Sequence, residues 1–154
     1  MTPCMSSLSS AFISLILIAA TGCGHAQDPQ KSPEGNSQSP VMKDVSVAEF
    51  HKLMASMPDA LLLDVRTPEE WGEGHLEGAA HHDYWGGEAA FEQAMNRIPR
   101  DRPVLVYCAG GGRSGLTTKE LNAAGHQEVY NLEDGITGWK REGMPVVTGL
   151  PAND

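Results

Sequence analysis

Apolar residues fall along this chain in short blocks whose period keeps switching. Leu61-Leu62-Leu63-Asp64-Val65 and Val104-Leu105-Val106-Tyr107 are nearly continuous apolar runs. Runs of that length, rich in branched side chains and bounded by turn residues, predict strands buried on both faces. Val41 to Val45 and Glu128 to Leu132 predict two more strands, and Ala79 to Tyr84 a further short one broken by Trp85-Gly86-Gly87. Between the strands the period turns helical. Val47, Phe50, Leu53 and Met54 recur at helical spacing to about Ser56, behind a Ser46–Glu49 capping box, and Pro58-Asp59 ends the helix. Thr67-Pro68-Glu69-Glu70 opens a short helix with a cap, a proline at its first position and a glutamate reaching back. Gly72 to Gly78, with His75, is a loop. Phe91, Ala94, Met95 and Ile98 mark the buried face of a helix over Glu88 to Arg97. Leu116 to Ala124 predicts the next helix, closed by Gly125, and Ile136 to Glu142 the last, stopped by Gly143 and Pro145. Strands alternating with helices imply an α/β domain with a mostly parallel sheet flanked by helices.

Two stretches stand outside this pattern. Ala11 to Ala20 is an apolar run too short to span a bilayer, followed by the small residues Thr21 and Gly22 and then Cys23. Such a run predicts an export signal over residues 1–22. Gly22-Cys23 resembles the lipobox of bacterial lipoproteins, which implies lipid attachment at Cys23 and a periplasmic, membrane-anchored protein. The n-region carries no Lys or Arg, and Ala20 stands where that pattern usually has leucine. The alternative is ordinary cleavage that leaves Cys23 a free thiol. Residues 23–40 are rich in Gln, Ser, Pro, Gly and Asn and predict a flexible tether. The domain then occupies residues 41–148, with a tail over 149–154.

Charge and cysteine usage narrow the chemistry. The 154 residues suffice for one domain, and the formal net charge of −9 argues against nucleic acid and against a polybasic membrane patch. The membrane would be met only through the anchor at Cys23. Of three cysteines, Cys4 leaves with the signal and Cys23 is blocked by lipid. Cys108 then stands alone, with no partner for an internal disulfide even in an oxidising compartment.

Cys108 ends the strand Val104 to Tyr107, and Ala109-Gly110-Gly111-Gly112-Arg113-Ser114 follows before a helix. Glycines let backbone N–H groups turn into a concavity, a helix start adds partial positive charge, and Arg113 adds a full one. Such surroundings favour a thiolate. In open sheets, sites lie beyond the carboxyl ends of strands, where Cys108, Arg66 and Arg113 all fall. A lone cysteine here could also be a small buried hydrophobe. Gly110, Gly112 and Gly115 match a dinucleotide fingerprint, with Glu133 or Asp134 about 20 residues on. That fingerprint belongs to a first strand, and it leaves Cys108 and Arg113 unexplained. His75, His81, His82 and Asp83 lack the companions of a metal site, so no metal and no cofactor is assigned. His75 is read as packing or hydrogen bonding beside the loop. Tyr84 and Trp85 are placed at the border of the mouth.

Four ordered segments carry a family resemblance. They are Asp64-Val65-Arg66 with Pro68-Glu69-Glu70-Trp71, Gly74-His75-Leu76-Glu77-Gly78-Ala79, Val106-Tyr107-Cys108 with Gly111, Arg113 and Ser114, and Gly135 to Trp139 with Gly143-Met144-Pro145. Together they make residues 41–147 similar to a single rhodanese domain, a three-layer α/β fold. The resemblance implies a sulfurtransferase in which Cys108 takes a sulfane sulfur from thiosulfate, a persulfide or a polysulfide. It then passes that sulfur to a thiol or cyanide. The amides of Ala109 to Ser114 would stabilise the anionic sulfur. Arg113 would hold the loop or the donor's anionic end. Arg66 would reach an acidic partner supporting the loop, and Asp64 would fix the loop from below. For Asp64 and Arg66 a buried ion pair and direct substrate contact weigh equally. Rival readings are a non-catalytic interaction or redox module and a cysteine phosphatase-like enzyme. Phosphatases have one more residue between their cysteine and arginine than the four here. The loop also lacks a second basic residue, which weakens thiosulfate as donor and leaves small persulfides or polysulfides open.

Overall fold

The structure is a computed structural model that describes residues 39–149. The export signal, the lipid site at Cys23, nearly all of the tether and the end of the tail lie outside the described residues. No helix among the described residues is long and apolar enough to cross a membrane.

Five parallel strands form one sheet in the order β1-β5-β4-β2-β3. They are β1 (Val41–Val45), β2 (Leu61–Asp64), β3 (Ala80–His81), β4 (Val104–Tyr107) and β5 (Glu128–Leu132). All residues of β2 and β4 are buried, as their unbroken apolar runs require. Five helices complete the domain: α1 (Val47–Ser56), α2 (Pro68–Gly72), α3 (Glu88–Arg97), α4 (Gly112–Ala123) and α5 (Gly135–Arg141). Two apolar clusters cover the two sides of the sheet. One joins Val45, Phe50, Leu105, Tyr107, Ile136 and Trp139; the other joins Leu63, Phe91, Met95, Val106, Cys108 and Leu121. The mostly parallel α/β architecture predicted from alternating periods is therefore the one observed.

Several boundaries differ from the sequence expectation for local reasons. The helix after the glycine loop starts at Gly112, not Leu116. Gly111 takes a left-handed φ of 86° and turns the chain straight into the helix. Arg113 and Ser114 thus belong to the first turn of α4, although glycine's low helix propensity suggests loop. The strand expected over 79–84 is only Ala80–His81. Asp83 ends it by accepting the Trp85 N–H at 2.9 Å, which folds a turn. The Ser46 side chain caps Glu49 N, but the Glu49 carboxylate goes to Lys43 Nζ at 2.6 Å, so that capping box is half formed. At α2 the box is complete, between Thr67 and Glu70.

Candidate functional site

Cys108 lies at the carboxyl end of the central strand β4, at a point where the chain turns from sheet to helix. Its side chain is buried, 2 % exposed. The Ser114 hydroxyl lies 3.4 Å from Cys108 Sγ. Burial pushes the thiol up, but the Ser114 hydroxyl and the backbone amides of Ser114, Gly110 and Arg113 outweigh it and bring the thiol below its usual range. The cradle expected from glycine content is thus built largely from the first-turn amides of α4.

Two glycines let the cradle close. A Cβ on Gly111 would overlap the Glu133 carbonyl, and its φ of 86° is one that other residues rarely adopt. A Cβ on Gly135, at φ 55°, would lie 2.5 Å from the carbonyls of Cys108 and Ala109. Those carbonyls accept the amides of Ile136 at 2.8 Å and Thr137 at 3.0 Å. The start of α5 therefore holds the loop's carbonyls on one side while its amides face the sulfur. Asn131 on β5 adds a tie, donating from Nδ2 to Gly111 O at 3.3 Å and to Asp44 Oδ1 at 2.8 Å.

Arg113 does not point an unpaired charge into the cradle. Its guanidinium donates to both Glu70 carboxylate oxygens at 2.7 Å and lies 4.4 Å from the centre of the Trp85 ring. Arg113 first, then a hydrogen bond from the Thr67 amide, holds the Glu70 carboxyl down at about 2 against the cost of burial. Arg113 has the geometry of a loop clamp on Glu70, and its guanidinium, raised by Glu70 first, also interacts with Cys108.

Asp64 and Arg66 form the buried ion pair, with Arg66 Nη2 on Asp64 Oδ2 at 2.7 Å and Nε 3.0 Å from both carboxylate oxygens. Asp64 reaches the loop only at one remove, through Arg66, which it holds, and Glu70. The acidic residue that supports the loop belongs to Arg113 instead. Arg66 acts one step away: it donates to the carbonyls of Glu70 at 2.8 Å and Gly74 at 2.9 Å and so fixes α2, which carries Glu70. His75 stacks on Trp71 at 3.5 Å and pairs with Val147 through two backbone hydrogen bonds. It packs against Trp71 of α2. Trp71 Nε1 donates to Gly149 O at 2.9 Å, so the ordered hydrogen bonding reaches Gly149. His81 binds Arg66 O at 2.7 Å.

Along the chain Glu70 is marked only as a helix cap, and nothing local singles out Asn131. Glu70 serves as cap and clamp with the same carboxylate, and its partner lies 43 residues away. A lone arginine in a glycine loop signals that some carboxylate meets it, but not which one.

A buried thiol at the end of a parallel sheet, brought below its usual range by a hydroxyl and helix-start amides, defines a class of small α/β sulfur-handling domains. The chain belongs to the rhodanese family: residues 46–142 match the Rhodanese-like domain. It is 32 % identical over 107 residues to a sulfurtransferase of Allochromatium vinosum, covering 70 % of this chain and 96 % of that protein. It is 34 % identical over 111 residues to the tRNA uridine(34) hydroxylase of Chlamydia pneumoniae, covering 70 % of this chain but only 33 % of that longer protein. Among solved structures it is similar to the polysulfide-sulfur transferase homodimer of Wolinella succinogenes. That match has a TM-score of 0.58 and 28 % identity, and covers 70 % of this chain and 80 % of that one.

Proposed function

We propose that this protein is a sulfurtransferase that carries a sulfane sulfur on Cys108. The observation that carries this reading is the buried Cys108 thiol set against the Ser114 hydroxyl at 3.4 Å at the start of α4, where that hydroxyl and the amides of Gly110, Arg113 and Ser114 bring it below its usual range. The Cys108 thiolate attacks the outer sulfur of a donor. The new Sγ–S bond forms as the donor's S–S bond breaks, and the donor remnant leaves with the electron pair. A thiolate or cyanide then attacks the outer sulfur of the persulfide, and the pair returns to Cys108 Sγ. The same amides stabilise the terminal negative charge in both states. Arg113, paired with Glu70, keeps the loop in shape for both steps. The loop has no basic residue besides Arg113, and Arg113 is paired with Glu70, which weakens thiosulfate as donor and leaves small persulfides and polysulfides open.

The test is the mass of the full-length chain after incubation with thiosulfate or polysulfide, beside Cys108→Ser. A gain of about 32 Da per sulfur, removed by cyanide and missing in the variant, is expected. A reactive Cys108 that takes sulfur from neither donor would overturn the reading and leave an interaction module. We further propose that the chain is exported to the periplasm and anchored by lipid on Cys23. The Ala11–Ala20 run and Gly22-Cys23 support this. Fatty-acid labelling lost in Cys23→Ser is the expected result.

A further inference from the structure

A groove between α3 and α4, which no residue of the Cys108 loop lines, is left unused by sulfur transfer from small inorganic donors. Its volume is about 650 Å³, within the range of small-molecule sites. Tyr84, Trp85, Phe91 and Met95 supply its apolar walls, and Glu88 and Glu92 stand among them. Glu120, on α4, also lines it and accepts the Tyr84 hydroxyl at 3.1 Å. The residues lining the groove include three glutamates and no lysine or arginine.

Trp85 joins the groove to the reactive centre. Its ring borders the groove and also lies 4.4 Å from the Arg113 guanidinium, next to Ser114 and its contact with Cys108 Sγ. Trp85 is 67 % exposed, a costly position for an indole. It does not sit there through slackness, because Asp83 pins the turn through the amides of Trp85 at 2.9 Å and Gly86 at 3.1 Å. Arg113 and Glu120 lie seven residues apart on α4, which is two turns, or about 10 Å. The groove thus leads away from the sulfur site along an apolar wall toward negative charge.

We propose that this groove binds the organic body of the sulfur acceptor, a small apolar thiol with a cationic amine at its far end. This inference rests on the sulfurtransferase reading of Cys108. The thiolate enters at the cradle, the apolar body lies against Trp85, and the ammonium lies among the glutamates. In the step itself the acceptor thiolate bonds to the outer sulfur of the Cys108 persulfide. The Sγ–S bond breaks, its electron pair stays on Cys108 as thiolate, and the acceptor leaves as a persulfide anion. No oxidant or reductant is consumed. Anionic thiols meet repulsion from the same glutamates.

The experiment loads the full-length chain with sulfur at Cys108, confirmed by mass, and follows transfer to three arenethiols. These carry para-aminoethyl, para-ethyl and para-carboxyethyl groups, are compared at equal thiolate concentration, and are set beside cyanide, which has no organic body. The expected kcat/KM for the aminoethyl thiol is about tenfold or more above that for the carboxyethyl thiol, and salt narrows the gap. In Glu88→Gln/Glu92→Gln the preference falls to about threefold or less. In Trp85→Ala the ratio of arenethiol to cyanide kcat/KM falls about tenfold. As a check independent of transfer, para-aminoethyl toluene, which lacks the thiol, shifts the Trp85 indole N–H resonance. Equal use of the three thiols by the unmodified chain, or a preference unchanged in the double variant, would overturn the inference while leaving persulfide formation intact. Failure of Cys108 to load from any donor would instead remove the parent reading, and the inference with it.

Discussion

Arg113 and Glu70 meet through two parallel 2.7 Å hydrogen bonds that tie the first turn of α4 to α2. The pair is bidentate and partly buried, so it fixes direction as well as distance. Glu70 is itself held, its side chain by the Thr67 amide at 3.0 Å and its carbonyl by Arg66 at 2.8 Å. A path of hydrogen bonds thus runs from the buried Asp64–Arg66 pair through Glu70 to the loop that carries Cys108.

Glu70→Gln keeps the shape of the side chain and removes its charge. The expected loss is about 2 kcal/mol of unfolding free energy, read by urea titration. The pH dependence has a definite sign. Glu70 has a folded value of about 2 against an ordinary 4.5, so its contribution is fully present above about 4.5 and fades as pH falls toward 2. The parent protein loses that share of stability across this window, and Glu70→Gln does not.

Ser114→Ala removes the hydroxyl from Cys108 but leaves the amides in place. The thiol is expected to titrate higher than in the parent, read by the pH dependence of alkylation at Cys108. Sulfur uptake slows most at low pH, where less thiolate remains. Cys108→Ser abolishes uptake.

Gly111→Ala places a Cβ against the Glu133 carbonyl at a left-handed φ. The neighbour is backbone and cannot swing aside. A loss of about 3 kcal/mol or more is expected, read by urea titration, with slower sulfur uptake at Cys108 in the folded fraction. Gly110→Ala serves as the control, since nothing lies within 4 Å of its added Cβ.

Arg66→Met leaves Asp64 buried without its partner. The expected cost is about 3–5 kcal/mol, because the carboxylate keeps its desolvation penalty and loses its compensation. Asp64→Leu/Arg66→Met removes both charges and is expected to recover part of that loss. Chemical denaturation of the two variants measures the difference.

Much of this protein was legible along the chain. The apolar runs of β2 and β4 can satisfy their surroundings only as buried strands, and the Thr67-Pro68 cap can start only a helix. Cys108 followed by glycines and Arg113 marks the candidate loop, because strand end, glycine freedom and cation stand within a few residues of one another. These are local constraints, set by backbone sterics and by the period of side-chain burial. What Arg113 does was decided by tertiary structure alone. Its carboxylate partner sits 43 residues away, and the β2-β4 pairing, not chain proximity, brings them together. The same holds for Gly135, whose missing Cβ makes room for the loop carbonyls, and for Trp85, whose exposure follows from how one turn lies against α4. Local sequence determines which backbone conformations are possible; only the packed sheet determines which distant charges and surfaces must meet.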